Sequence, residues 1–156
     1  MRHKPSSGPA VSPMGCSSFK LRQLTRRVCQ HFDHIVGSAG LKTTQYSLLS
    51  HIAKLGPVRP GELAAAMEMD ASTLTRNLQP LLKQAWVEVG PGDDGRSRLV
   101  RVTEAGRVKR AEAQRDWKRA QLAFNAQMGD ARVVRLHALI DECLALMHEP
   151  TDATSG

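Results

Sequence analysis

Residues 61–106 read GELAAAMEMDASTLTRNLQPLLKQAWVEVGPGDDGRSRLVRVTEAG, and the fold class can be predicted from their pattern. Apolar residues recur in it at helical spacing, first over a short segment and then from Asp70 to about Gln84. Two short runs rich in valine follow, at residues 87–89 and 99–102, and they flank a turn-forming segment that holds glycines and arginines. The order predicts two helices joined by a turn and followed by a β-hairpin.

The second helix of this pair has an apolar face and a polar face. Asp70 is a good N-cap, and four leucines at helical spacing form the predicted buried stripe. The opposite side and its flank carry hydroxyls, amides and cations but no acid. These residues are Ser72, Thr73, Thr75, Arg76, Asn77, Gln79 and Lys83. Such groups bind base edges and phosphates, so this face is a predicted DNA-reading surface, and an ordinary solvated face is the alternative.

The hairpin tip runs from Pro91 to Arg98 and contains two glycines that permit a tight turn. Asp94 stands two residues before Arg96, and we expect its carboxylate to hold the Arg96 guanidinium by a paired hydrogen bond. A guanidinium so oriented would suit the narrow minor groove, where the negative potential is deepest. Asp94, Arg96 and Arg98 are therefore the predicted DNA-contacting residues of a wing.

Composition limits the class of protein. The chain of 156 residues has room for one domain, and its net charge of +7 favours an anionic partner, either nucleic acid or an anionic membrane surface. No run reaches the ~20 apolar residues of a membrane-spanning helix, and no signal peptide is evident, which predicts a cytoplasmic protein without membrane contact. The three cysteines are irregularly spaced, so reduced thiols are expected.

The chain divides by composition and periodicity. Gly56 and Pro57 end a helix that begins near Thr43, and Val58 leaves room for only one β bridge before Pro60 opens a short helix. The predicted segments are a disordered arm (1–15), a single domain (16–148) and a frayed tail (149–156). Within the domain we expect a first dimerisation helix (about 17–37), a DNA-binding lobe (about 43–103) and a helical C-terminal dimerisation region (about 104–147) that breaks at Gly129-Asp130.

The last helix is apolar over more than one packing face. Val134, Leu139, Leu144 and Leu146 widen the stripe that one neighbouring helix would cover. A second subunit is the natural partner for the additional face. The sequence therefore predicts a homodimer.

Several short motifs together resemble the MarR family of bacterial winged-helix transcriptional regulators. They are Gly40-Leu41, Thr44-Gln45-Tyr46-Ser47-Leu48-Leu49, Gly61-Glu62-Leu63-Ala64, Ser72-Thr73-Leu74-Thr75-Arg76, Trp86-Val87, Asp94-Gly95-Arg96-Ser97-Arg98 and Val102-Thr103-Glu104-Ala105-Gly106. The resemblance implies a mainly α winged helix-turn-helix fold, a homodimer interlocked through its N- and C-terminal helices, and a pseudo-palindromic double-stranded operator. It also implies a repressor released by a small aromatic or phenolic effector or by oxidation.

Two residues depart from the family pattern. Ala85 stands where the family usually has glycine, so we expect the recognition helix to end differently here. Pro80 removes the bond to the Arg76 carbonyl and is expected to kink or break the helix, which would leave Gln79 and Lys83 less well placed than Ser72 to Asn77.

Other functions have weaker signals. Cys16, near Lys20 and Arg22 at the start of the first helix, is a candidate redox thiol, and an inert semi-buried thiol is the alternative. His31, Asp33 and His34 lack the further ligands of a metal site, so neither metal nor cofactor is expected. The chain has no nucleophile elbow or phosphate-binding glycine loop, which argues against an enzyme. A winged helix that binds protein rather than DNA is the remaining competitor.

Overall fold

A computed structural model of the protein describes residues 14–147. It confirms the predicted fold class, helices with one small antiparallel hairpin. The predicted tail lies outside the described residues, as does the predicted arm except for residues 14 and 15. The elements are α1 (Ser17–Val36), α2 (Thr43–Leu55), α3 (Pro60–Ala66), α4 (Ala71–Lys83), β1 (Val87–Pro91), β2 (Arg98–Val102), α5 (Glu104–Met128) and α6 (Asp130–Met147), with a 3-10 turn at Gly37–Ala39.

A compact lobe forms around α2, α3, α4 and the hairpin, which we call the wing (87–102). Leucines from the three helices are almost completely buried at its centre, together with Val87 and Val100 of the wing. The predicted β bridge is present: Val58 donates to and accepts from Val100, with N–O distances of 3.1 and 2.8 Å. This bridge attaches the wing to the segment between α2 and α3. The orientation of the wing is therefore held by a tertiary contact as well as by its own hairpin pairing.

The long helices α1 and α5 pack against each other beside this lobe. Phe32 and Phe124 meet with ring centroids 6.1 Å apart, and Ala113 and Ala120 on α5 are fully buried where the helices approach. Asp33 of α1 accepts the backbone N–H of Thr43 at 2.7 Å and so caps the start of α2. Helix α1 therefore holds α2 in place through both packing and a hydrogen bond.

Apolar side chains remain exposed along α1 and α6. Leu146 and Met147 are 79 and 80% exposed, and Phe19 on α1 is 54% exposed. Val133 is the buried residue of α6, which therefore uses little of its apolar surface within the chain. The other large exposed apolar residues of these two helices are Leu21, Leu24, Val134, Leu139, Ile140 and Leu144.

The recognition helix does not break at Pro80, and the expectation that it ends differently at Ala85 is wrong. Helix α4 continues through Pro80 to Lys83, because Leu78 and Leu81 anchor it in the core on both sides of the proline. A polar recess of about 210 Å³ beside Pro80 leaves room for water at this turn, where the Arg76 carbonyl lacks its usual helical donor. Gln79 and Lys83 are accordingly on the exposed side of an unbroken helix.

Ala85 ends the helix in the left-handed conformation that glycine favours, with φ of +53°. The Ala85 N–H donates to the Leu82 carbonyl and the Trp86 N–H to the Leu81 carbonyl, at 2.9 and 3.0 Å, which is the Schellman pattern. The Thr103 hydroxyl also donates to the Ala85 carbonyl at 2.7 Å. Tertiary contacts thus hold alanine in a conformation that its Cβ disfavours.

Candidate nucleic-acid interface

Asp70 organises the first turn of α4. One carboxylate oxygen accepts the Thr73 N–H at 2.7 Å and the Ser72 hydroxyl at 2.6 Å, and the other accepts the Thr73 hydroxyl at 2.7 Å. These bonds, the Ser72 hydroxyl first, lower the pKa of Asp70 well below its ordinary value. The N-cap was predicted, whereas its contacts with the two hydroxyls were not. The sequence signal for them is the Asp-Ala-Ser-Thr spacing at residues 70–73.

Helix α4 presents the predicted polar residues outward. Ser72, Thr75, Arg76, Gln79 and Lys83 are exposed, and Thr73 and Asn77 are half-buried at the flank. Asn77 donates to the sulfur of Met69 at 3.7 Å, so part of its amide is used within the chain. The Arg76 guanidinium lies in the middle of this face, on a rigid helix whose buried side is anchored by leucines.

The wing tip is ordered by Asp94, but not in the predicted way. Its Oδ1 accepts the backbone N–H groups of Arg96 and Ser97 at 3.0 and 2.8 Å and the Ser97 hydroxyl at 2.6 Å. The predicted paired bond to the Arg96 guanidinium is therefore wrong, because the turn brings backbone N–H groups to the carboxylate. The Ser97 hydroxyl and these N–H groups lower the pKa of Asp94 to about 2. Arg96 and Arg98 remain exposed.

Two further arginines lie at the wing and were missed from the sequence. Arg59 is exposed, and it is near enough for its positive charge to contribute to the lowered pKa of Asp94. The Arg101 guanidinium donates to the Pro91 carbonyl at 3.2 Å. The position of Arg59 could have been inferred from the sequence, because Arg59 directly follows Val58, which was predicted to form a β bridge. The positive charge at the wing thus comes from Arg59 and Arg101 as well as from the arginines of the tip.

The start of α2 borders the recognition helix. Lys42, Thr44 and Gln45 line the recess of about 210 Å³ beside Pro80 together with Arg76 and Asn77. Gln45 accepts the backbone N–H of Lys42 at 2.9 Å and closes the first turn of α2. Lys42 and Thr44 therefore extend the polar surface around Arg76, and sequence analysis did not identify them as part of it.

Comparison with known proteins places the chain in a family. The MarR family model matches residues 39–97, which run from the end of the 3-10 turn to the wing tip. The solved structure of the Mycobacterium tuberculosis transcriptional regulator MosR in complex with DNA is 30% identical, with a TM-score of 0.72 over 86% of this chain and all of that one. The chain belongs to the MarR family.

Two curated relatives are similar over 60% or slightly more of the MarR-family chain. The uncharacterized HTH-type transcriptional regulator YwoH of Bacillus subtilis is 27% identical over 93 residues, which are 60% of this chain and 68% of that protein. The multiple antibiotic resistance protein MarR of Salmonella typhimurium is 29% identical over 97 residues, 62% of this chain and 65% of that protein. The fold and these relatives are those of transcriptional regulators rather than enzymes.

A cleft lies between α2 and α5 of this MarR-family protein. It has a volume of about 340 Å³. Arg110 donates to the Ser50 hydroxyl at 3.4 Å, and the Tyr46 and Trp117 rings lie 6.1 Å apart between centroids. The lining residues are Thr43, Tyr46, Ser47, Ser50, His51, Arg110 and Trp117. The Thr43 hydroxyl oxygen is buried there without a hydrogen-bond partner. The cleft thus combines aromatic rings and one cation.

The candidate sensor residues lie elsewhere in the chain. Cys16 is exposed at the start of α1, and Lys20 donates to the Met14 carbonyl at 2.9 Å rather than to the thiol. His31 bonds to the Ala120 carbonyl at 3.0 Å, and Asp33 caps α2 as described. His31 and Asp33 therefore have structural contacts, and redox sensing through Cys16 stays a prediction.

Between residues 14 and 147, no helix is both long and apolar enough to cross a membrane.

Proposed function

We propose that the protein is a homodimeric repressor that binds a pseudo-palindromic double-stranded DNA operator through α4 and the wing. The observation that carries this proposal is the exposed face of α4, where Arg76 lies among hydroxyls and amides and no acid lies between Ala71 and Lys83. Arginine binds guanine by two hydrogen bonds in the major groove, which an α-helix fits. The protein would act in the bacterial cytoplasm.

The wing would add contacts that are less dependent on sequence. Arg96 and Arg98 are exposed on a tip whose backbone is ordered by Asp94, so they reach an adjacent groove without a large loss of conformational freedom. Arg59 supplies further charge at the same end of the lobe. We expect α4 to provide base specificity and the wing to provide affinity that depends strongly on salt.

The dimer would form through α1 and α6, whose exposed apolar side chains have no covering element within the described residues. Burial of such side chains against a second copy is favourable, and a two-fold axis would place the two α4 helices on one side of the dimer. Their half-sites would be separated by about one helical turn of DNA, roughly 10 base pairs.

The direct test is a fluorescence anisotropy titration with duplex taken from upstream of the protein's own gene, at two salt concentrations and with random duplex as competitor. We expect tight binding that survives the competitor and a stoichiometry of two chains per operator. Weak binding that random duplex abolishes completely would contradict the proposal, because net charge alone accounts for it. In that case the surface of α4 would be assigned to a protein partner.

Repression would be relieved by a small aromatic acid or phenol in the cleft between α2 and α5. The cleft supports this effector class because Trp117 and Tyr46 offer aromatic surface and Arg110 offers a cation for a carboxylate. Since the cleft lies between the lobe and a helix of the dimerisation region, a ligand there would alter the spacing of the two α4 helices.

Titration of the operator complex with benzoate and with phenol tests this effector class. We expect one of them to weaken operator binding and Arg110→Gln to reduce the response to benzoate more than the response to phenol. Arg107→Gln is the matched control, since Arg107 lies on the same helix but does not line the cleft. Operator affinity that neither compound changes would count against an aromatic effector.

A further inference from the structure

The hydroxyl groups at the start of α4 have a defined hydrogen-bonding direction. A serine or threonine hydroxyl has one hydrogen to donate and two lone pairs, whereas an ionised carboxylate only accepts. The Ser72 and Thr73 hydroxyl oxygens lie 2.6 and 2.7 Å from different oxygens of Asp70. Each hydroxyl therefore donates its single hydrogen to Asp70 and presents only lone pairs to a molecule outside.

We propose that Asp70 is a specificity-determining positioning residue, which makes Ser72 and Thr73 acceptors toward DNA and directs them to the exocyclic amino groups of adenine or cytosine. This inference rests on the proposed DNA binding. In the major groove the N6 amino group of adenine and the N4 amino group of cytosine are the donors, while guanine and thymine present acceptors. Phosphate oxygens also lack hydrogens, so the two hydroxyls are unsuited to backbone contacts.

Other side chains of α4 complement this arrangement. Thr75 donates its hydroxyl hydrogen to the Ala71 carbonyl at 2.8 Å, and it too presents lone pairs outward. That acceptor is a neutral carbonyl, whereas hydrogen bonds to a carboxylate are stronger, so Ser72 and Thr73 are held more firmly than Thr75. Arg76 has donors only and suits guanine. The face thus contains acceptors at its N-terminal turn and a donor one turn later.

The experiment begins with selection of binding sites from a randomised duplex library by the full-length parent protein. The same selection with Ser72→Ala and Thr73→Val identifies the base pair whose preference each hydroxyl controls. Duplexes are then made with that base pair altered in one group at a time. To remove the amino group, purine replaces adenine or 2-pyrimidinone replaces cytosine. To remove the carbonyl oxygen, 5-methyl-2-pyrimidinone replaces thymine or 2-aminopurine replaces guanine.

We expect loss of the amino group to weaken binding by the parent about fivefold to tenfold, the usual value of one hydrogen bond, and to leave the matching hydroxyl variant unaffected. Loss of the carbonyl oxygen should not distinguish the parent from that variant. The inference is overturned if the carbonyl oxygen is the group whose loss matters, or if neither hydroxyl variant changes the preference at any base pair. A parent that selects no site at all would instead refute the proposed DNA recognition, and this inference with it.

Asp70→Asn supplies a readout that a purely structural role would not change. The asparagine oxygen retains the cap to the Thr73 N–H, and the amide N–H2 group replaces the oxygen that faced the Thr73 hydroxyl. The Thr73 hydroxyl then accepts from the amide and has its hydrogen free. We expect its base pair to lose the requirement for an amino group while the Ser72 position keeps it. An unchanged preference at both positions, with a parent-like melting temperature, would overturn the role of Asp70.

Discussion

The outward faces of α4 and α6 are both exposed in the single chain, but their chemistry is opposite. The face of α4 carries hydroxyls, amides and two cations, Arg76 and Lys83. The face of α6 carries large apolar residues, among them Leu139, Leu144 and Leu146, each about half or more exposed. Exposure alone therefore does not define a functional surface. The side chains decide which partner would lower the free energy: a polyanion for α4 and an apolar protein surface for α6.

The largest effect is expected from a charge on the face of α6. Under the proposed dimer, Leu144→Glu would bury two carboxylates at a two-fold interface and cost at least roughly 3 kcal/mol, or a rise of about a hundredfold in the dimer Kd. Sedimentation equilibrium would measure it. The control is Val108→Glu, an exposed apolar residue on α5 rather than α6. If both variants dimerised equally well, the face of α6 would not be the dimer interface, and its assigned contrast with the face of α4 would be wrong.

On α4, the corresponding change is Arg76→Ala. It should weaken specific operator binding by roughly 1–3 kcal/mol through loss of a bidentate base contact, while affinity for random duplex changes much less. Anisotropy titrations against both duplexes would measure the ratio. Arg115→Ala removes an exposed arginine from α5 and serves as the matched loss of charge. If both variants lost equal affinity for operator and random DNA, α4 would be a basic surface without base recognition.

The wing should respond differently from α4. Arg96→Ala is expected to weaken binding to all duplexes and to reduce the slope of log K against log salt by about 0.9 per chain, since it removes one phosphate contact. Titrations at four or more salt concentrations would give the slope. A change confined to the operator, with an unchanged slope, would assign Arg96 to base recognition instead.

Substitutions at Asp94 test whether its role is to order the backbone of the wing tip through its acceptor oxygen or to act through its charge. All three of its hydrogen bonds are to one oxygen, which asparagine also has. We therefore expect Asp94→Asn to bind DNA at least as tightly as the parent, because a negative charge is removed, and Asp94→Ala to bind about threefold to tenfold more weakly as the tip loosens. Equal losses for the two variants would mean that the charge of Asp94, rather than its acceptor oxygen, supports the wing.

The smallest effect concerns the end of α4 rather than its face. Ala85→Gly should raise the free energy of unfolding by about 0.5–1 kcal/mol, because glycine adopts a positive φ without the Cβ penalty. Ala111→Gly, in the interior of α5, should lower it by about 1 kcal/mol. Urea denaturation would measure both. A destabilised Ala85→Gly would show that the alanine methyl contributes more than its backbone conformation costs.

Local chemistry was sufficient for much of the prediction. The N-cap at Asp70, the break at Gly129, the single bridge at Val58 and the polar face of α4 all depend on neighbouring residues or on helical periodicity, and the sequence contains both. The wing was recognisable because its glycines and valines have strong local preferences. The predictions that were wrong or missing for Pro80, Ala85 and Arg59 depend on distant contacts. At Asp94 the error was local, because the turn brings the N–H groups of residues 96 and 97 to the carboxylate that was expected to hold a guanidinium.

The order of the elements and the chemistry of the α4 face follow from the sequence alone, because turn propensity, capping and hydrophobic periodicity act over a few residues. The end of α4 depends instead on tertiary packing, which outweighs the local preference of residue 85. Gly106 shows this clearly: a Cβ there would lie 1.9 Å from the Trp86 carbonyl oxygen, so α5 passes the end of α4 at a distance only glycine permits. That approach lets Thr103 bond to Ala85 and Trp86. The close contact between residues 20 apart in sequence, not local propensity, thus favours the unusual end of the recognition helix.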